Sequence, residues 1–545
     1  MSDSTSNPEK RRIDKAVFFP ATVVTLALGV LFFIFPEGSN AVLNQIHAFT
    51  THELGWFFLI FTLIMMGVCL YYAFSPMGNI VLGGKDEKPD FSTWTWLGLI
   101  LTSGTGGSLL YLSSIEWIWI VDAPPFGIEP GSIDAYRWAS AYGMFHWGPS
   151  AWALYIAVSV PIGYFYFVKK RNNMKMSDYA RPLLGNLSDG IPGHALNFLY
   201  IFGLLGGVLT SLALGTPPIS SGLAHMMGLS ASNTAIDVLV IALWTFVPLG
   251  AIVLGLKRGI GRLSKINIWG FVLLLVILVV FGPTWFIFNQ STDALGLMVQ
   301  NFFYMSLNTD PIRGGGFPQA WPIFYMSWWA VYALPFGLFI ARISKGRTIR
   351  QLVAGGILAG SLGCMIFYMV LPAFGMNLQL KGTVDLVSSL AEKGRGGVVI
   401  DMMSNIPGGF LMVILFTLLC LLSYITGHVS VGYALAASAE KKMKGDQDPQ
   451  HWNVAFWLLL AGAVSLGLYL LNRTALAPLQ TVSIITGFPI CFAMTVVILA
   501  FFKQVKKDFP NGIPSRSTSE EKIYGTPEEE EPQTAPEKQA AQEQV

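Results

Sequence analysis

The chain has 545 residues, of which 53% are hydrophobic and only 12% charged, with a formal net charge of +2. Soluble domains carry about 25% charged residues, so the composition excludes a water-soluble globular protein and leaves an all-α polytopic membrane protein. No nucleic-acid partner is expected. Cys69, Cys364, Cys420 and Cys491 all lie in apolar runs without metal-ligand spacing, so neither a disulfide framework nor a zinc site is expected.

Residues 1–15 are polar and basic, and a full-length apolar run follows them with no small-residue cleavage site, which reads as a retained cytoplasmic tail. A twelve-helix membrane domain is placed at residues 16–505. Its apolar runs, each long enough to cross about 30 Å of hydrocarbon, fall near 18–35, 53–74, 95–121, 141–168, 196–221, 234–255, 267–288, 321–343, 350–375, 408–438, 453–471 and 479–503. With the N-terminus inside, 28 of the 34 Lys and Arg residues fall in inner segments. That bias puts both termini in the cytoplasm by the positive-inside rule.

Residues 289–320 are amphipathic and too polar to span, and an interfacial helix is expected over about 289–305. It would join two five-helix blocks, about 95–288 and about 321–503, giving a LeuT-like 5+5 inverted repeat preceded by two extra helices. Residues 506–545 are polar and acidic, and a disordered cytoplasmic tail is expected there.

Within the third run, Ser103, Gly104, Thr105, Gly106, Gly107 and Ser108 form a glycine and hydroxyl stretch. Each glycine weakens a helix by about 1 kcal/mol relative to alanine. The stretch suits either a deformable backbone lining a cavity, with Gly104, Gly106 and Gly107 as its flexible points, or close packing through small residues. Glu116 lies in the same run, where an ionisable group is a functional candidate by default. It either orients a charged substrate head, or bonds to a neighbouring helix and serves packing or gating. Trp119 lies three residues further on the same face as a cap, and Tyr111 is grouped with these binding residues.

The fourth run contains FHWGPSAWALY, with Trp147, Trp152 and Tyr155 expected near one face, and the eighth contains Trp328, Trp329 and Tyr332 at i, i+1 and i+4. Two such sets can close an aromatic cage around a quaternary ammonium group, the ligand that electron-rich ring faces suit best. Thr102, Thr105, Ser423 and Thr426 offer oxygen atoms suited to a hard cation, so Na⁺ is the candidate coupling ion; no cofactor is expected. His428 is a lone membrane histidine and stays outside the expected site.

The stretches FHWGPSAWALY, GGFPQAWPIFYMSWWAVYALPFGLFIARISKGRTIR and APPFGIEP resemble the betaine/choline/carnitine transporter family over roughly residues 15–505. The resemblance implies twelve spans with the inverted repeat, a homotrimer, and an aromatic site formed by Trp147, Trp152, Tyr155, Trp328, Trp329 and Tyr332. The chain departs from the family's sodium-coupled betaine carriers in its SGTGGS run and in LLSYITGH. Where the family's sodium-independent members carry an ion-replacing arginine, this chain has Asn267. The expected function is secondary transport of betaine, carnitine, butyrobetaine or choline across a bacterial inner membrane. Carnitine-type exchange without ion coupling, or sensing without transport, are the alternatives. No nucleophile, metal cluster or cofactor motif of an enzyme is evident.

Overall fold

The computed structural model describes residues 13–84, 87–103, 106–171, 175–253, 257–441, 447–471, 477–513 and 523–525. Among them the chain is a helical bundle, and its extended pairing is limited to isolated bridges such as Val81 with Thr348. The helices, in chain order, are α1 (Lys15–Ile34), α2 (Pro36–His52), α3 (Gly55–Phe74), α4 (Thr93–Ser103), α5 (Gly107–Asp122), α6 (Ile133–His146) and α7 (Pro149–Gly163). There follow α8 (Met176–Leu184), α9 (Ile191–Met226), α10 (Thr234–Val253), α11 (Lys257–Phe281), α12 (Thr284–Gln300), α13 (Phe302–Leu307) and α14 (Phe317–Ala320). The last are α15 (Pro322–Arg342), α16 (Ile349–Leu380), α17 (Leu386–Ser404), α18 (Gly409–Ser438), α19 (His451–Leu471) and α20 (Ala477–Asp508).

Eleven of the described helical segments are long and apolar enough to span a bilayer. The expected span at 95–121 is absent from that set because it is broken: α4 stops at Ser103 and α5 starts at Gly107, each too short to cross alone. Gly104 and Thr105 lie outside the described residues, and Gly106 is extended at φ −148°, ψ 177°. Three further helices were not anticipated, α2, α8 and α17. The amphipathic connector begins earlier than expected, as α12 from Thr284, after α11 has ended at Phe281.

Burial sorts the helices by role. Every residue of α7 from Ser150 to Gly163 is buried, as expected of a helix apolar all round. By contrast α1, α3, α10 and α11 expose rows of large apolar side chains, Phe19, Val23, Leu26 and Val30 on α1 for example, which suit a lipid face. Small residues let the central helices approach. A Cβ on Gly337 of α15 would lie 2.7 Å from Val158, and one on Gly487 of α20 would lie 2.7 Å from the carbonyl of Ser327. Helices α7 and α15 run parallel, since Trp147 meets Trp328 at one end and Gly163 faces Ala341 at the other.

The basic end of the bundle is tied by polar contacts. Arg350 donates to the Ala73 carbonyl at 2.7 Å and to Asn79 at 2.9 Å, and Arg347 lies over the Trp96 ring at 4.8 Å. Lys175 pairs with Asp14, and Lys169 with Asp508 at 3.1 Å. Of the segment expected to be disordered, α20 still covers its first residues to Asp508. Further on, Ile523 is seated in parallel against Ile80, with the Val81 N–H donating to its carbonyl at 2.8 Å. The remainder, 514–522 and 526–545, lies outside the described residues, as do residues 1–12 of the N-terminal tail.

Candidate functional site: an aromatic cage at the head of a deep cavity

Two X-Pro breaks place the central rings. Gly148 precedes Pro149 and is driven from helical geometry to φ −92°, ψ −152°, so α6 ends at His146 and α7 restarts at Pro149. Trp321 precedes Pro322 in the same manner, at φ −123°, ψ −76°, where α15 begins. Because the fourth run breaks, Trp147 does not share a helical face with Trp152 and Tyr155. It turns instead toward the second helical turn of α15.

There its ring lies 5.2 Å from Trp329 and 6.1 Å from Trp328, at interplanar angles of 80° and 88°. Tyr155 approaches Trp329 at 5.0 Å and stacks on Phe336 at 5.0 Å. Tyr332 completes the wall, edge-on to Phe336 at 5.8 Å, its hydroxyl 2.8 Å from Ser211 of α9. Trp147, Tyr155, Trp328, Trp329 and Tyr332 all line one cavity of about 1000 Å³. It continues past Arg342 at the C-terminal end of α15 to the loop residues Asp90 and Asp448, a run of about 20 Å from the cage by helical rise. The cage is thus reached from the basic end of the bundle.

Trp152 does not line that cavity. Fully buried, it sits behind Trp329 at 6.1 Å with its ring against Gly360, where a Cβ would come within 2.1 Å. Its place in the arrangement is to hold Trp329. Trp119 stacks on Trp321 at 5.4 Å at the far end from the cavity mouth, and Trp321 in turn stacks on Tyr325 at 6.3 Å. Tyr111 is buried among α5, α17 and α18 neighbours and does not line the cavity.

Glu116 is also away from the cavity wall. It is fully buried, accepts hydrogen bonds from the hydroxyls of Tyr325 and Tyr368, each at 2.5 Å, and lies 2.6 Å from Nδ1 of His146. The side chain therefore bonds to neighbouring helices rather than presenting a free carboxylate to a ligand. Tyr368 also meets Trp147 at 5.9 Å, an extension of the ring cluster that was not legible in the sequence. Its only sequence signal is an aromatic on an apolar run, which is not distinctive.

The glycine stretch and the oxygen-bearing residues meet the cavity on its other side. Gly106, Gly107 and Ser108 line it, as do Thr102, Ser423 and Thr426. Gly107 is required by close approach, because a Cβ there would lie 2.4 Å from the Tyr424 ring, and Ser108 bonds the Tyr424 hydroxyl at 2.9 Å. Thr102 donates to the Gly98 carbonyl at 2.8 Å and Thr426 to the Leu422 carbonyl at 2.9 Å, both within their own helices. Asn267 of α11 donates to Ser423 at 2.7 Å. Thr105 lies outside the described residues. His428 lines the cavity too, its Nδ1–H donating to the Trp244 carbonyl at 3.0 Å.

A multi-helix membrane bundle with a deep, one-ended cavity headed by crossed indole and phenol rings defines a membrane transporter class. Residues 16–510 match the family described as BCCT, betaine/carnitine/choline family transporter, and the chain belongs to that family. The match covers nearly the whole chain.

Proposed function

We propose that the protein carries out secondary active transport of a small quaternary-ammonium compound, of the betaine, carnitine, butyrobetaine or choline type, across a bacterial inner membrane. The observation that carries this reading is the set of cavity-lining rings, Trp147, Tyr155, Trp328, Trp329 and Tyr332, gathered with no acidic side chain among them. Ring faces attract a desolvated cation by about 2 kcal/mol or more per good contact. Without a carboxylate in the cage the hold stays moderate, which suits a ligand that must be released.

Two features favour a ligand that also carries an anionic or polar end. The indole N–H groups of Trp328 and Trp329 are buried at the cavity wall without protein acceptors. The N-terminus of α5 opens onto the same cavity at Gly107 and Ser108, and a helix N-terminus favours negative charge. A carboxylate could be met by either donor set while the ammonium group rests among the rings.

The conformation supports alternating access. The cage communicates with the basic end, which the positive-inside rule assigns to the cytoplasm together with both termini. Trp119, Trp321, Tyr325, His146 and Glu116 fill the opposite side. The breaks at Gly106, Gly148 and Trp321 are the points where helix segments can tilt. The order of the helices, with α4–α5, α7, α9, α10 and α11 followed by α15, α16, α18, α19 and α20, accommodates the inverted five-helix repeat.

Uptake of labelled betaine, carnitine, butyrobetaine and choline into proteoliposomes tests the function. Accumulation under an imposed sodium gradient identifies sodium symport and directs attention to Thr102, Ser423 and Thr426. Counterflow with only unlabelled substrate inside identifies exchange. Binding without movement of any of the four compounds would overturn transport in favour of sensing.

A further inference from the structure

We propose that Nε2 of His428 accepts a hydrogen bond from a substrate hydroxyl two carbons from the quaternary nitrogen, the unit that choline and carnitine share and that betaine and butyrobetaine lack. The inference rests on the cage reading above and deepens it by naming the group that the wall beside the rings recognises.

A proline sets the direction of the imidazole. Pro248 of α10 stands one turn after Trp244 and has no N–H to return to the Trp244 carbonyl. The freed carbonyl takes the Nδ1–H of His428 at 3.0 Å. Because a carbonyl only accepts, the hydrogen is on Nδ1, and in a neutral imidazole the other nitrogen is then an acceptor. The two ring nitrogens point to nearly opposite sides. No described residue of α10 lines the cavity, whereas His428 does, so turning Nδ1 to α10 turns Nε2 back toward the cavity. Nε2 is buried, and no protein donor meets it.

Helix register sets its depth. Helices α9 and α18 are antiparallel, with Gly222 against Thr417 and, seven residues along each helix in opposite senses, Gly215 against Tyr424. One more turn in the same direction brings Ser211 level with His428. Ser211 and the Tyr332 hydroxyl lie 2.8 Å apart, and both residues line the cavity. His428 therefore stands at the depth of the cage ring Tyr332.

The neighbouring hydroxyls do not serve it. Ser211 donates to the Gly207 carbonyl, Thr426 to that of Leu422 and Ser430 to that of Thr426, each within its own helix. With those hydrogens spent, the donor for Nε2 must come with the ligand. A ligand that covers this wall without a hydroxyl leaves a buried acceptor unpaired, whereas a hydroxylated one satisfies it. That difference is how polar sites separate such analogues.

Two matched pairs differ only in this hydroxyl: carnitine and butyrobetaine, and choline and ethyltrimethylammonium. Their binding to the purified full-length protein is followed by tryptophan fluorescence, and the readout is the affinity ratio within each pair. The hydroxylated member of each pair that binds should be favoured about tenfold. The ratio should fall to about one in His428→Asn and in His428→Phe. Asparagine keeps a donor for the Trp244 carbonyl but has no acceptor where Nε2 stands, so it preserves the tie to α10, while phenylalanine keeps a ring and removes both functions. A ratio near one for either binding pair in the unmodified protein would overturn the proposal while leaving the cage intact, whether or not the variants fold. An undiminished ratio in either folded variant would overturn it too, as would binding of betaine with neither pair bound. Absence of binding by all four compounds and by betaine would overturn the cage reading itself, and this proposal with it.

Discussion

Replacing Trp329 by leucine removes the ring that the other cage members share. Trp329 lies 5.2 Å from Trp147, 5.0 Å from Tyr155 and 6.1 Å from Trp152, so its indole is both a face for the cation and the spacer between its neighbours. Loss of one cation-to-ring contact of this kind removes about 1–2 kcal/mol, a weakening of roughly 5- to 30-fold. Leucine keeps an apolar side chain at the position, so hydrophobic contact with the methyl groups persists and the electrostatic part is what disappears. The assay is a binding titration with choline and with its uncharged tert-butyl isostere, 3,3-dimethylbutanol. The unmodified protein should prefer choline, and Trp329→Leu should lose most of that preference while changing its weak affinity for the isostere little. An affinity for choline within twofold of the original, or equal losses for both compounds, would refute the assignment of these rings to a cation.

Three further outcomes follow from individual contacts. Gly107→Ala should reduce stability by about 1–3 kcal/mol, as overpacking does, and lower uptake, because the added methyl meets the Tyr424 ring at 2.4 Å. Gly106→Ala should be tolerated, since the space around its Cβ is open and its extended backbone suits any residue; thermal unfolding of the pair decides the contrast. Tyr332→Phe breaks the 2.8 Å bond between α15 and α9 at Ser211, which already donates to the Gly207 carbonyl. A loss of about 1 kcal/mol is expected, read as a lower thermal midpoint with choline affinity kept. Arg137 bonds Asp293 of the connector α12 at 2.9 Å and holds that carboxyl below the usual aspartate range. A depressed carboxylate stabilises above its unfolded value, about 3.9, and loses that contribution as pH falls through its folded value. The protection of α12 amides against hydrogen exchange, taken relative to their intrinsic rates at each pH, should therefore be flat from pH 5 to 8 and fall below about pH 4, whereas Asp293→Asn should lower it throughout pH 5 to 8.

Much of the architecture was legible in the letters because the bilayer imposes a simple rule. A run of apolar residues long enough to cross must be helical, since no water is available to satisfy its backbone, and eleven of the expected runs are helices that meet this condition. The third run shows where such reasoning stops. Hydropathy sums over SGTGGS without registering that the backbone breaks there, between Ser103 and Gly107. The helices α2, α8 and α17 also escaped, because a half-polar segment gives a weak hydropathy signal.

The cage was legible as a list of rings and not as an arrangement. WGP and AWP contain the signal for two breaks, in that proline bars helical geometry from the residue before it. Continuous helical phasing across Trp147 nevertheless paired it with Trp152, which the fold places behind Trp329. Glu116 was marked by its cost in a membrane, but its partners His146, Tyr325 and Tyr368 are 30, 209 and 252 residues away. What the sequence determined by itself was the solvent each segment must face, the bias of basic charge and the kinds of side chain available to hold a cation. The tertiary structure alone decided which rings face the cavity, which support them, and that the Glu116 carboxylate is turned away from the cavity to Tyr325, Tyr368 and His146. Hydropathy is a property of each segment singly, whereas the direction of a side chain depends on breaks and on packing between distant helices.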